Sequence, residues 1–238
     1  MYARSLPAQA PSKGDLRANF GGGIHLIAKS PVAGWCNTRL AEKLGSPCAA
    51  ELQRALLKDH LDYFEEHKVP YQVWIGTPET GESGMDPSVL GNARIIRAAK
   101  LGPLLEEALA FHRNVLAWKN AIFLGVDSPL AAFASLELSF RKGKEGYAVL
   151  GPALDGGVYL IGVPENWRNP FRNVMWGSDQ VYSQLLATAE EDRIPVQSLP
   201  KGRDLDTMED LTSMKAELLK ESRIVPSTAS LLSRWKSI

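Results

Sequence analysis

Ala121-Ile122-Phe123-Leu124-Gly125-Val126-Asp127-Ser128-Pro129 is the stretch on which the architecture turns. Its first six residues are an unbroken apolar run, of strand length and too short for a helix of its own. No polar residue alternates within it, so it reads as a strand covered on both faces. Ser128-Pro129 then reads as a helix start, with serine at the N-cap and proline in the first turn. A buried strand that delivers its chain straight into a helix is half of a βαβ unit.

The same alternation extends in both directions. Ile24-His25-Leu26-Ile27-Ala28 is a second short apolar run, and Gly21-Gly22-Gly23 before it reads as a flexible lead-in. Residues 47–66 carry Leu52, Leu56, Leu57, Leu61 and Phe64 on one helical stripe, with Ser46 as its cap. Tyr71 to Ile75 and, more weakly, Arg94 to Ala98 read as strands, joined through a turn-rich connection from Thr77 to Gly91. A second amphipathic helix is expected over about 103–117. Downstream, strands are expected at Tyr147–Leu150, Val158–Val163 and Pro195–Leu199. Helices are expected from Asp179 to Glu190 and from near Thr207, and no element is assigned beyond about Ile224. The pattern predicts an α/β fold with a mostly parallel sheet and helices on both faces.

Size and composition agree. The chain has 238 residues, 45% of them hydrophobic and 23% charged, enough for one large α/β domain. Residues 1–23 are expected to be a loose leader, and 24–238 one domain. The 27 Lys+Arg and 27 Asp+Glu cancel, which argues against a polymeric nucleic-acid partner, since such binding runs on an excess of basic charge. No run approaches the ~20 apolar residues of a membrane span, and the leader lacks a signal-peptide core, so a cytoplasmic location is expected. Cys36 and Cys48 are expected to be reduced thiols. There is no P-loop, no dinucleotide fingerprint, no GxSxG elbow and no HExxH, and the four histidines are scattered.

Four segments can carry chemistry. The loop Ala28-Lys29-Ser30-Pro31-Val32-Ala33-Gly34-Trp35-Cys36-Asn37-Thr38-Arg39 leaves the carboxyl end of the first strand, where open α/β sheets bind ligands. Its backbone N–H groups, with Lys29 and Arg39, suit phosphates, and a solvated basic loop explains them too. Asp127 sits where a carboxylate reaches the sheet rim and could hold Mg²⁺ against phosphates; beginning a turn is its other reading. Asp204 and Asp206 point the same way on an extended stretch, while Thr207 and Asp210 fit a capping box. In Gly151-Pro152-Ala153-Leu154-Asp155-Gly156-Gly157 the glycines permit either a close approach to a ligand or a tight hairpin. Trp176 offers an aromatic edge to a sugar or base, or simply packs.

Taken in chain order, Lys29-Ser30-Pro31…Gly34…Thr38-Arg39-Leu40, Gly125-Val126-Asp127-Ser128-Pro129, Gly151-Pro152…Asp155-Gly156-Gly157-Val158-Tyr159, Trp176 and Asp204-Leu205-Asp206-Thr207 resemble the bacterial family DUF2064. That family, the selenodomain-associated transferases, is glycosyltransferase-A-like and related to molybdenum-cofactor nucleotidyltransferases and phospholactate guanylyltransferases. The resemblance spans about residues 24–215. It implies the nucleotide-diphospho-sugar transferase (GT-A) fold, a three-layer α/β/α sandwich with a mixed, mainly parallel sheet. It also implies glycosyl or nucleotidyl transfer from an NDP-sugar or NTP to a small-molecule acceptor, with Mg²⁺ or Mn²⁺.

The implied roles follow residue by residue. Asp127 and Asp206 hold the metal. Ala28, Lys29, Gly34 and Arg39 line the nucleotide. Asp155, Gly156, Gly157 and Trp176 border the acceptor or sugar. Lys29, Asp127 and Asp155 form the catalytic set. The chain departs from the family pattern in having Asn37 for a lysine and Ala33 for a proline. In Arg97-Ala98-Ala99-Lys100-Leu101-Gly102-Pro103-Leu104 only Leu101-Gly102 survives, and Lys100 is assigned to the nucleotide, replacing lost charge. The alternatives are a non-catalytic nucleotide- or sugar-binding protein on this fold, or a plain interaction module.

Overall fold

The computed structural model describes residues 21–85, 93–98, 100–116 and 118–235. Most of the expected leader, residues 1–20, lies outside this range, as do the end of the Thr77–Gly91 connection and Ala99. One sheet contains β1 (Gly22–Lys29), β2 (Tyr71–Thr77), β3 (Arg94–Arg97), β4 (Asn120–Leu124), β5 (Ala148–Pro152), β6 (Val158–Val163) and β7 (Val196–Ser198). Their spatial order is β3-β2-β1-β4-β6-β5-β7. β6 runs antiparallel to β4 and to β5, and every other pair is parallel.

The helices are α1 (Thr38–Leu44), α2 (Ser46–Glu66), α3 (Leu101–Asn114), α4 (Pro129–Lys144), α5 (Val181–Glu191), α6 (Met208–Lys220) and α7 (Pro226–Arg234). Strand alternation divides them into two layers. Ile24, Leu26 and Ala28 of β1, with Ile122 and Leu124 of β4, face Leu40, Leu56, Phe64, Phe133, Leu211 and Leu232 of α1, α2, α4, α6 and α7. Ala121 and Phe123 of β4 face the other way, toward Leu105 and Leu109 of α3 and Val181 and Leu185 of α5. This is the expected α/β/α sandwich with a mixed, mainly parallel sheet. The apolar run at 121–124 is continuous because both of its faces are covered.

Three local differences have physical reasons. β1 starts at Gly22, not after the glycines, because Gly22 and Gly23 pair with Asn120 and Ala121 of β4. A Cβ at Gly22 would stand 2.1 Å from the Asn120 carbonyl oxygen, and one at Gly23 would stand 2.3 Å from the Trp118 ring, so these glycines allow close packing. Gly45, rather than Ser46, occupies the cap position of α2. α7 forms where no element was assigned. Asp59, buried in α2, accepts the backbone N–H groups of Ser227 (2.7 Å) and Thr228 (2.9 Å) and caps α7 from outside its own sequence.

Candidate active site

The carboxyl ends of the parallel strands share one edge of the sheet, and the segments singled out by sequence gather there. Gly202 N–H bonds to the Pro152 carbonyl (2.8 Å), which ties the chain after β7 to the end of β5. Leu205 N–H bonds to the Asp127 carbonyl (2.9 Å), which lays residues 204–206 beside the loop after β4. β1, carrying Lys29 at its end, is the sheet neighbour of β4.

Asp127 thus shares its surroundings with Asp155, Asp204 and Asp206, and their electrostatics interlock. Burial, then the charges of Asp206 and Asp155, push the Asp127 carboxyl above its ordinary range, and Lys29 partly offsets this. Asp204 is pushed up to about 7 by burial and by Asp127, Asp155 and Asp206, against a hydrogen bond from Ser128. Asp204 is the residue that sequence reading passed over as a site member. Its signal in the sequence is the two-residue spacing to Asp206.

Ser128 is used differently from expectation, while the expected capping box forms without Asp206. Ser128 precedes Pro129 as predicted, but its hydroxyl makes no cap hydrogen bond. It donates to Asp204 instead. At α6 the capping box is Thr207 with Asp210, each side chain serving the other's backbone N–H, and Asp206 stays outside it. The Asp206 carboxylate is ion-paired with Arg39. Arg39 is the second residue of α1, and the expected loop from Lys29 therefore ends in a helix one residue before it.

The rest of the first loop is held by its own contacts. Ala28 is 5% exposed and its side chain sits in the core, which leaves only its backbone for any ligand contact. Lys29 is exposed, with its ammonium 6.0 Å from the centre of the Trp35 ring. Gly34 has φ +84° and open space where a Cβ would be, so it serves the turn rather than a close approach. Asn37 adopts φ 46° and donates from Nδ2 to the Ala49 carbonyl (3.4 Å), a left-handed position asparagine tolerates. Cys36 and Cys48 are free thiols.

On the far side, residues 153–157 turn β5 into β6 as a tight hairpin. Asp155 Oδ1 accepts the Gly157 N–H (2.9 Å), which fixes the side chain and leaves its second oxygen clear of that bond. Gly156, at φ +89°, lies where a Cβ would be 2.0 Å from the Asp179 carbonyl oxygen. Its close approach is therefore to the protein's own chain. Trp176 packs edge-to-face on Phe171, with ring centres 5.7 Å apart. Its indole leaves no room for a Cβ on Gly102, which would stand 2.6 Å from it. That contact accounts for glycine in the one surviving piece of the 97–104 segment. Lys100 is exposed just ahead of α3, on the same corner as Trp176. No contact joins either residue to the four carboxylates among the described residues.

Residues 92–178 match the DUF2064 family model. DUF2064 is described as an uncharacterized protein conserved in bacteria, and the match bears out the resemblance read from the sequence. The DUF2064 segment contains Asp127, Asp155 and Trp176; Lys29, Arg39, Asp204 and Asp206 lie outside it.

Solved structures share the nucleotide-diphospho-sugar transferase fold. A provisionally named nucleotide-diphospho-sugar transferase of Desulfovibrio desulfuricans G20 is 24% identical, with a TM-score of 0.75 over 90% of this chain and 95% of that one. The 4-diphosphocytidyl-2C-methyl-D-erythritol synthase of Anaerococcus prevotii DSM 20548 is 13% identical, with a TM-score of 0.53 over 83% of this chain and 99% of that one. The inositol-1-phosphate CTP transferase of T. maritima is 12% identical, with a TM-score of 0.52 over 88% and 97%. No curated protein matches the chain. Among the described residues no helix is long and apolar enough to cross a membrane.

Proposed function

We propose that this chain is a nucleotide-dependent transferase, moving a glycosyl or nucleotidyl group from an NDP-sugar or NTP to a small-molecule acceptor. The observation that carries the reading is convergence. Four carboxylates and two cationic side chains, drawn from segments across the chain, meet at the carboxyl edge of the sheet. This is the edge at which α/β sheets bind ligands. Two relatives in fold are named as a 4-diphosphocytidyl-2C-methyl-D-erythritol synthase and an inositol-1-phosphate CTP transferase, which supports nucleotide chemistry here too.

Among the described residues no three His, Cys, Asp or Glu form a ready metal cage. The donors at the rim are carboxylate oxygens only. That set suits a hard cation that takes one or two carboxylates and completes its shell with water and substrate phosphates. In this reading Asp127 and Asp206 hold Mg²⁺ or Mn²⁺. The ion, when bound, supplies charge neutralisation at the phosphates.

The chain's own groups do the rest. Lys29 and Arg39 bind phosphate oxygens and stabilise the charge that grows on them. The backbone from Ala28 to Gly34 lines the nucleotide. Asp204, held by the Ser128 hydroxyl and pushed up to about 7 by burial and its neighbours while no cation is bound, limits the repulsion on Asp127 in its protonated form. Asp155, anchored through Oδ1, presents its other oxygen to an acceptor hydroxyl and takes its proton, with Gly156, Gly157 and Trp176 bordering that side, and Lys100 adds charge for the nucleotide.

A thermal-shift screen of NTPs and NDP-sugars, with and without Mn²⁺, tests this. A ligand that binds only the folded chain raises its melting temperature. Metal-dependent shifts that vanish in Asp127→Ala and Asp206→Ala are expected; shifts unchanged in both would remove the metal site. The alternative is a nucleotide-binding protein without turnover, favoured by one observation: Asn37 is spent on the Ala49 carbonyl. Binding with no transfer across an acceptor panel would select it.

A further inference from the structure

The Arg39–Asp206 ion pair joins residues 167 positions apart, and both side chains are largely open to solvent, at 65% and 42% exposure. An exposed pair of this kind is weak and opens readily. The two partners are the residues to which the reading above gives different ligands: Arg39 a phosphate, Asp206 a cation. The contact uses one guanidinium nitrogen and one carboxylate oxygen, so engaging either residue fully with its own ligand competes with the pair. Lys29, the other cation of the loop, forms no ion pair among the described residues and lies against Trp35. Asp206 takes no part in the cap of α6, which Thr207 and Asp210 complete without it.

We propose that Arg39 is an exchangeable place-holder: without ligand it neutralises Asp206 in the cation's stead, and when a polyphosphate enters it turns to the phosphate oxygens and frees the carboxylate for the cation. The inference rests on the phosphate and cation roles proposed above. The guanidinium suits both partners because its planar fork matches carboxylate and phosphate oxygens alike. The swap makes phosphate and cation binding mutually reinforcing, since each removes the partner that occupies the other's ligand. It also favours an order, with polyphosphate or its metal complex binding ahead of the free ion.

The test is calorimetric titration of the full chain with Mn²⁺ alone and, separately, with inorganic pyrophosphate alone, which carries no base or sugar. Arg39→Gln should tighten Mn²⁺ about 2- to 5-fold, the range of a lost exposed ion pair. The same change should weaken pyrophosphate about 10-fold or more, as loss of a charged hydrogen-bonding partner does. Lys29→Gln should also weaken pyrophosphate but tighten Mn²⁺ less than Arg39→Gln does. Equal tightening in the two variants, or none in Arg39→Gln, overturns the exchange, because a cation acting only through its field needs no pairing. Asp206→Asn separates the two levels. If it leaves Mn²⁺ binding intact, the cation role of Asp206 fails and the exchange falls with it. If it weakens Mn²⁺ while Arg39→Gln fails to tighten it, the site stands and only the exchange is overturned.

Discussion

Asp204→Asn should make the metal-free protein more stable at alkaline pH, although it alters the candidate site. Asp204 is pushed up to about 7 by burial and by three neighbouring carboxylates. An unfolded aspartate ionises near ~3.9. The folded chain therefore binds this proton more tightly than the unfolded chain does. The associated stability is present below ~3.9 and is lost as pH climbs through about 7.

The span of about 3 pH units, at ~1.4 kcal/mol each, caps the cost of ionisation at ~4 kcal/mol. Asp204 keeps some contact with water, which screens the repulsion, so about half of that, ~2 kcal/mol, is the working figure. Asparagine keeps an oxygen to accept the Ser128 hydroxyl and removes the charge. In EDTA at pH 8 the variant should gain ~2 kcal/mol, or about 4–8 °C in Tm for a chain of this size. At pH 4.5 both proteins are mostly neutral at this position, and only about a quarter of the gain should remain. Urea unfolding at the two pH values, with m held equal, measures it. A variant no more stable than its parent at pH 8 would refute the claim that the four carboxylates repel one another at one rim.

Three further outcomes follow from the packing. Asp59→Ala leaves the N–H groups of Ser227 and Thr228 unserved at the buried start of α7, so a loss of about 2–4 kcal/mol in urea unfolding is expected; a loss under ~1 kcal/mol would mean that α7 is ordered by something else. Burial lowers His25 to about 3, with His112 adding to it, and lowers His60 and His112 to about 4, so all three stay neutral in the fold. Groups depressed in this way contribute stability above ~6.5 that is lost as pH falls toward their folded values. Each should remove ~2 kcal/mol between pH 7 and pH 5, most visibly in the Asp204→Asn background, where the opposing carboxylate is gone; a flat profile there would contradict their burial. Gly156→Ala forces a Cβ into the Asp179 carbonyl at φ +89° and should cost about 2 kcal/mol or more, with a change in Trp176 fluorescence as the 175–180 loop shifts.

What the sequence made legible follows from the range of each signal. The apolar run at 121–124, the stripe of α2 and the Thr207–Asp210 box are local patterns, and each produced its element with boundaries off by a few residues. Because strand ends in a parallel sheet share an edge, placing Lys29 after β1 and Asp127 after β4 was enough to put both at one rim. The contacts that decide how the rim behaves have no local pattern. Ser128 and Asp204 are 76 residues apart, Arg39 and Asp206 167, and Asp59 and Ser227 168. In each, a residue type with a ready local explanation serves a distant partner. Ser128 looked like a cap and instead holds a carboxylate. Asp59, set among the leucines of α2, caps another helix. Asp204 and Asp206, two positions apart, receive different partners because their spacing says nothing of what waits at the rim. The hydroxyl of Ser128 holds one and the guanidinium of Arg39 holds the other. In the proposed reading, the Asp206 contact, exposed and easily broken, suits a carboxylate that changes partners, while the part-buried Asp204 contact suits one that holds a proton.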